Sequence, residues 1–342
     1  MFAISETLQT GFQKCCASTA MLLNLGLIYL IINKSPKELG AYKYLMVYIS
    51  LLEMVYALVD VLVLPIFHHS GYTFLIITRL ESSFFDRPVQ SVLSGLYCGL
   101  YGSCMALLAI HFFYRYLVIK GSKTLSTFRS WKLLLWFAIP ILYGSVWGAI
   151  AVLFCGQRGL TDRVVETDVL ENLDLNLTDI VYIAPYLFND EGGIYWPVVC
   201  GLIVDLMIIG SSMSTVVYFG VLLFKELQKY TKNNQNLSEK NKSLQTQLYY
   251  SLVTQTLIPV ILLQVPVSIL FTTVFCSFDS GALSSLVSMT IALYPAIDPL
   301  PTMFIVTSYR NAISDFINGI FKTVTCRPSA ATGKRSAETT KL

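Results

Sequence analysis

The sequence predicts an all-α membrane protein, a bundle of seven transmembrane helices with an amphipathic helix lying on the cytoplasmic surface after it. Three observations predict this class. Of 342 residues, 54% are hydrophobic and only 13% charged, about half the charge of an ordinary soluble domain, so too few charges exist to coat a water-soluble surface. The apolar residues gather in seven long blocks instead of short periodic stripes. Lys and Arg concentrate on alternate connections between those blocks, as the positive-inside rule requires of a multi-span chain. The net charge of +3, with the cations at block ends, excludes nucleic-acid binding.

A hydrocarbon core of roughly 30 Å needs about 20 apolar residues in a helix. The blocks Cys15–Ile32, Tyr44–Phe67, Val89–Ile119, Trp131–Phe154, Trp196–Phe224, Tyr249–Phe275 and Leu283–Val306 each approach or exceed that length. All are read as helices, because backbone groups in lipid must be satisfied within their own segment and the blocks are too long for barrel strands. The first block follows Lys14 with no basic segment before it, which predicts a retained signal anchor. The alternation of cations assigns residues 1–14 to the outside, 15–306 to the bundle, 307–326 to the membrane surface and 327–342 to a disordered cytoplasmic tail. The cytoplasmic connections and tail then hold 18 Lys and Arg, and the outer side five.

The outer connection 155–195 carries eight acids against two arginines and reads as an acidic lid over the outer mouth. It includes Asn176-Leu177-Thr178, a glycosylation acceptor on the lumenal side. Similar triplets at Asn33, Asn236 and Asn241 fall on the cytoplasmic side and should be silent. After the seventh block, Ile313, Phe316, Ile317, Ile320, Phe321 and Val324 recur at helical spacing opposite Arg310, Asn311, Ser314, Asp315 and Lys322, the pattern of an interfacial helix. Cys326 follows at the membrane surface, where palmitoylation and an unmodified thiol are both open. The eight cysteines show no CxxC or Cys/His spacing, and those inside the blocks, Cys15, Cys16, Cys98, Cys104 and Cys200, read as small buried hydrophobes.

Ionisable groups inside a membrane are expensive and mark functional positions. Glu53 and Asp60 stand seven residues apart on one face of the second block, Asp205 lies in the fifth and Asp298 in the seventh. Counted from the inner ends of their blocks at 1.5 Å per residue, Glu53 and Asp298 reach similar depth. Two acids that close cannot both be charged in low dielectric, so one carries a proton or a cation lies between them. A purely structural role fits as well, with each acid protonated and hydrogen-bonded to a neighbouring helix. Asp298 stands among three prolines, Pro295, Pro299 and Pro301, which remove backbone donors and predict a distorted helix. Pro259 and Pro266 predict a break in the sixth block. Kinked switch elements and static kinks both remain open. At the inner end of the third block, Arg115 sits among aromatics in His111-Phe112-Phe113-Tyr114-Arg115-Tyr116, where a snorkelling side chain is an equal reading.

Taken together, these motifs resemble the nematode seven-transmembrane chemoreceptors of the Str class, a group that includes odorant receptors of sensory neurons. The resemblance spans nearly the whole chain. It rests on Leu39-Gly40-Ala41-Tyr42-Lys43-Tyr44-Leu45-Met46, on Pro65 and His68, on His111 to Tyr116, on Leu244-Gln245-Thr246-Gln247-Leu248, on Gln255-Thr256-Leu257-Ile258-Pro259, and on Tyr294-Pro295 with Asp298-Pro299-Leu300 before Tyr309-Arg310. It implies a G protein-coupled receptor fold with no cofactor, a small and possibly volatile ligand, a heterotrimeric G protein as partner, and a plasma-membrane location in sensory cilia. Under it, His111, Tyr114, Arg115 and Tyr116 form the coupling region, Tyr114-Arg115-Tyr116 standing where other such receptors carry Asp-Arg-Tyr. Asp298-Pro299 stands where they carry Asn-Pro, so that Glu53, Asp298, Pro299, Pro259 and Pro266 become switch candidates. Asp60 and Asp205 lie in the outer halves of their blocks and His68 at the outer end of the second; these three are the ligand candidates. A transporter or ligand-gated channel for a small solute is the alternative, but no repeated halves are evident. An intramembrane hydrolase would need a nucleophile with a partner, and His68, His69 and His111 divide between opposite faces.

Overall fold

The computed structural model describes residues 6–325 apart from 71–72, 130, 234–238 and 270–280. Its helices are α1 (Glu6–Lys34), α2 (Tyr42–Val63), α3 (Arg87–Lys120), α4 (Leu133–Leu153), α5 (Gly159–Leu173), α6 (Trp196–Asn233) and α7 (Glu239–Pro259), then α8 (Gly281–Ile297), α9 (Pro299–Ile305) and α10 (Thr307–Thr325). Six of the described helices are long and apolar enough to cross a bilayer, and the stretch 284–305 supplies a seventh. Three strands, β1 (Ile66–Ser70), β2 (Thr73–Arg79) and β3 (Ile180–Ile183), form one antiparallel sheet in the order β1-β2-β3. The sheet closes one end of the bundle, the sheet end; α10 lies at the other, the tail end.

α3 is the axis of the bundle. Its apolar window is 89% buried, whereas those of α4 and α6 are 17% and 22% buried, so these two turn most of their surface to lipid. α3 and α4 meet through facing glycines. A Cβ on Gly148 would lie 2.7 Å from the Gly95 carbonyl oxygen, and one on Gly144 would lie 2.8 Å from that of Gly99. Pairs spaced four apart on both helices thus bring the backbones together, the packing that small residues permit where no hydrophobic drive exists between helices in lipid.

Several elements differ from their sequence expectation. The second span stops at Val63 instead of Phe67, because Leu64 adopts a left-handed conformation (φ 45°) and Pro65 has no N–H to continue the ladder. Phe67 enters β1, opposite Ile76. α1 begins at Glu6, inside the stretch assigned to the outside and nine residues before the first block, and Gln9 and Gln13 are buried and donate to the Pro65 carbonyl, at 3.3 and 3.4 Å. Cys15 and Cys200 are exposed on the bundle surface, because their helix faces point to the surroundings and not to the core.

The 155–195 connection is more than an acidic loop. α5 and β3 pack Val165, Val169, Leu175, Ile180 and Tyr182 against Leu75 and Ile77 of β2, a small core of its own. The Tyr182 hydroxyl donates to Asp162 at 2.6 Å. Burial, then that hydrogen bond, hold the phenol well above its usual range, so it remains a donor at any physiological pH.

Prolines act differently in the sixth and seventh spans. After Pro259 the chain forms a π-helical turn, Val260–Gln264, in which the Val265 N–H reaches back to the Val260 carbonyl, one residue further than in an α-helix. Asp298, by contrast, keeps helical dihedrals and its N–H still bonds the Tyr294 carbonyl at 3.1 Å. The expected distortion there is a one-residue interruption. The sharp bend comes later, at Val306, where α10 leaves the span by 96°.

Candidate functional site

Halfway along the bundle, α2 and the seventh span bring Glu53 and Asp298 into hydrogen-bonding reach, with Asn24 and Tyr294 beside them. Both acids are buried. Gln255 of α7 donates to Asp298 Oδ2 at 3.0 Å and to its main-chain carbonyl at 3.3 Å. Asn24 of α1 donates to the Pro295 carbonyl at 3.0 Å, and Ser251 pairs with Thr302 at 2.9 Å. Spans one, two, six and seven therefore meet in one polar cluster. Glu53 Oε1 and Asp298 Oδ1 have no protein donor among the described residues, which suits a proton held between the carboxyls, or a cation.

At the tail end, Arg115 is 1% exposed, so it does not snorkel. Its guanidinium donates to the Gln245 side chain of α7 and lies 5.1 Å from the centre of the Tyr42 ring, the arrangement of a cation–π contact. Tyr42 in turn stacks on Tyr114 at 5.4 Å and pairs with His111 Nδ1 at 3.3 Å, while His111 Nε2 lies 3.2 Å from the Leu45 carbonyl. His111, Tyr114 and Arg115 thus join one buried assembly. Tyr116 sits apart, its hydroxyl accepting from Lys120 at 2.7 Å. With Tyr114 where an acid would stand, the arginine is held across to the sixth span by a neutral amide. Nearby, Gln247 accepts from the Thr307 N–H at 2.9 Å, tying α7 to the bend before α10.

Near the sheet end the three ligand candidates do not converge. The field of Asp60 reaches Tyr56 and Tyr97, and that of Asp205 reaches Cys98 and Cys155. Tyr97 and Cys98 are consecutive on α3, so the two acids flank that helix on different sides. His68 lies in β1, opposite Leu75. Sequence reading missed Tyr56 and Tyr97, the tyrosines near Asp60, and the aromatic chain that continues from them. Tyr56 meets Tyr97 and Tyr294 edge-on at 5.5 and 6.2 Å, and the Tyr101 hydroxyl donates to Gln264 of the π-turn. The hydroxyls of Tyr97 and Tyr294 and Oδ1 of Asp60 and Asp205 have no protein partner among the described residues. Tyr97 and Tyr101, one helical turn apart, were the available signal. Asn176 is exposed beside Asp179. Asn236, Cys326 and the tail 327–342 lie outside the described residues.

Comparison with known proteins agrees with this geometry. The model of a family described as the serpentine type 7TM GPCR chemoreceptor Str matches residues 9–314. A Caenorhabditis elegans protein, G-protein coupled receptor str-217, is 32% identical over 311 residues, 90% of each chain. Serpentine receptor class r-10 of Caenorhabditis briggsae is 28% identical over 87% of each. The crystal structure of squid rhodopsin shares the fold at a TM-score of 0.59 and 12% identity, over 96% of this chain and 90% of that one. Seven spans, a polar cluster among four of them and an arginine sealed at one end are thus set in the fold of a multi-span membrane receptor, and the chain belongs to the Str family of serpentine seven-transmembrane GPCR chemoreceptors.

Proposed function

We propose that this receptor binds a small, mostly neutral environmental molecule at the sheet end, facing outside, and activates a heterotrimeric G protein at the tail end, in the cytoplasm. The observation that carries the reading is the closure of Arg115 against Gln245: one side chain joins the third and sixth spans at the end where a partner would dock. A ligand that favours the separated arrangement shifts the population toward it. Tyr97, near Asp60 and with a hydroxyl that has no protein partner among the described residues, supplies one of the few polar anchors in an apolar site that a small odorant needs. The proposed location is the plasma membrane, with sensory cilia following from the family. α10 lies on the cytoplasmic membrane surface, its Phe316 and Ile317 exposed for the interface. Expressing the chain in cells and screening odorants by calcium or cyclic-nucleotide readout tests the reading; a response that persists when the G protein is removed would overturn it.

Two results are expected within this reading. Asn176 is the glycosylated asparagine, so Asn176→Gln should abolish the mass shift produced by a glycosidase. A shift that survives means either that another triplet is used or that the topology is wrong. Asp298→Ala should change basal signalling and efficacy, because it removes the partner of Glu53 and of Gln255 far from the sheet end, whereas Asp60→Ala should chiefly alter agonist potency. Dose curves normalised to surface expression decide this. An Asp298→Ala receptor with wild-type basal activity and efficacy but a changed odorant preference would move Asp298 to the ligand site.

A further inference from the structure

Between α3, α4 and α6, on the side turned to lipid, lies a cavity of about 280 Å³. Among the described residues, no charged one lines it. Phe113, Trp136 and Tyr143 form much of its wall, with Ala106 and Ala109 at its back and the hydroxyls of Ser211, Ser212 and Thr215 on one side. The three hydroxyls are not equivalent. Ser211 donates to the Ile208 carbonyl at 3.0 Å and Thr215 to the Ser211 carbonyl at 2.7 Å, the usual way for helical hydroxyls to satisfy themselves. Ser212 is 3% exposed, and its Oγ has no partner among the described residues. It stands near the middle of α6, with 16 helical residues before it and 21 after, at a depth where lipid offers no hydrogen bond.

From this cavity we propose a second binding site, on the lipid side of the third, fourth and fifth spans, for a small lipophilic alcohol that enters from the bilayer. The ligand's hydroxyl pairs with Ser212, and its apolar body lies against Phe113, Trp136 and Tyr143. Three features select this class. The volume is about nine times one water's share of liquid, which suits a body of roughly ten non-hydrogen atoms and is too small to enclose a sterol. The uncharged wall rejects ions, whose desolvation nothing there offsets. An alkane of the same size would leave Ser212 unpaired, at a cost of roughly tenfold in affinity. Occupancy braces α6 against α3 and α4 on the face opposite α7, because Phe113 also meets Phe219 of α6 edge-on at 4.9 Å.

The test is direct binding, independent of any signalling by the receptor. The purified full chain in phosphatidylcholine nanodiscs is photolysed with a diazirine analogue of octanol, and adducts are located by mass spectrometry. The expected result is saturable labelling at Tyr143 or within Ser211–Thr215, displaced by 1-octanol and at least about tenfold less well by octane at equal membrane concentration. Ser212→Ala should weaken displacement by octanol to the level of octane, and Ala106→Leu should abolish labelling by filling the cavity. Labelling without saturation would overturn the proposal. So would equal displacement by octane, which would mark an unselective acyl-chain groove, or wild-type behaviour of Ser212→Ala. Because the octanol and octane comparison uses the unmodified chain, a variant that fails to fold does not remove the test.

Discussion

Gly144→Leu is expected to remove folded receptor from the membrane, and Gly99→Leu to do the same. A Cβ on Gly144 would crowd the Ser103 hydroxyl and lie 2.8 Å from the Gly99 carbonyl oxygen, and one on Gly99 would overlap the Gly144 backbone. Backbone cannot rotate aside as a side chain does. α4 would have to shift away from the axis helix along the whole seam, which also contains Gly95 and Gly148. Overpacking a well-filled core costs about 1–3 kcal/mol, more when backbone must move, against a total stability that is itself only about 5–15 kcal/mol. Gly210→Ala is the control, since nothing lies within 4 Å of the added carbon. Fluorescence-detected gel filtration of tagged receptor should give a monodisperse peak for Gly210→Ala and aggregate or no peak for both leucine variants. Wild-type yield of Gly144→Leu would mean that α3 and α4 do not pack this closely.

The second large effect concerns the arginine closure. Gln245→Leu should raise basal signalling, and Arg115→Ala should abolish the agonist response while surface delivery and ligand binding stay mostly intact. The reasons differ. Gln245 contributes only to holding α7 against α3, and a hydrogen bond to a charged group contributes about 1.5–3 kcal/mol, so its loss moves the ratio of closed to open forms by roughly 10- to 100-fold. Arg115 belongs to both the closed contact and the surface that a partner would meet. Basal and agonist-evoked second-messenger levels, normalised to surface receptor, check both. Unchanged basal activity in Gln245→Leu would show that the amide does not restrain the sixth span, and a normal agonist response in Arg115→Ala would remove that residue from coupling.

Hydropathy and charge made the spans legible, because lipid imposes long uninterrupted apolar blocks on any helix that crosses it. Counting 1.5 Å per residue was enough to bring Glu53 level with Asp298. What escaped depended on features that hydropathy does not encode. Ile66 and Phe67 read as the end of a span because strand and helix are equally apolar there; the left-handed Leu64 before Pro65 decides the matter. Gln245, four residues before the sixth block as read from Tyr249, looks like a loop residue until α7 is seen to begin at Glu239. The separation of Asp60 from Asp205 follows from α3 passing between them, which no local pattern reveals. The glycine pairs at 95 and 99 and at 144 and 148 also went unread, although their four-residue spacing on two apolar blocks is the available signal of close helix approach.

The π-turn gives the sixth span a lever arm. From Val260 to Gln245 the helix spans 15 residues, about 22 Å at the standard rise, so a tilt of about 10° at Val260–Gln264 carries Gln245 through roughly 4 Å, more than the whole length of a hydrogen bond. The Tyr101 hydroxyl grips Gln264 at the fulcrum. On the proposed reading, a change in that one grip, too small to reshape the sheet end, would be magnified into full separation of Gln245 from Arg115.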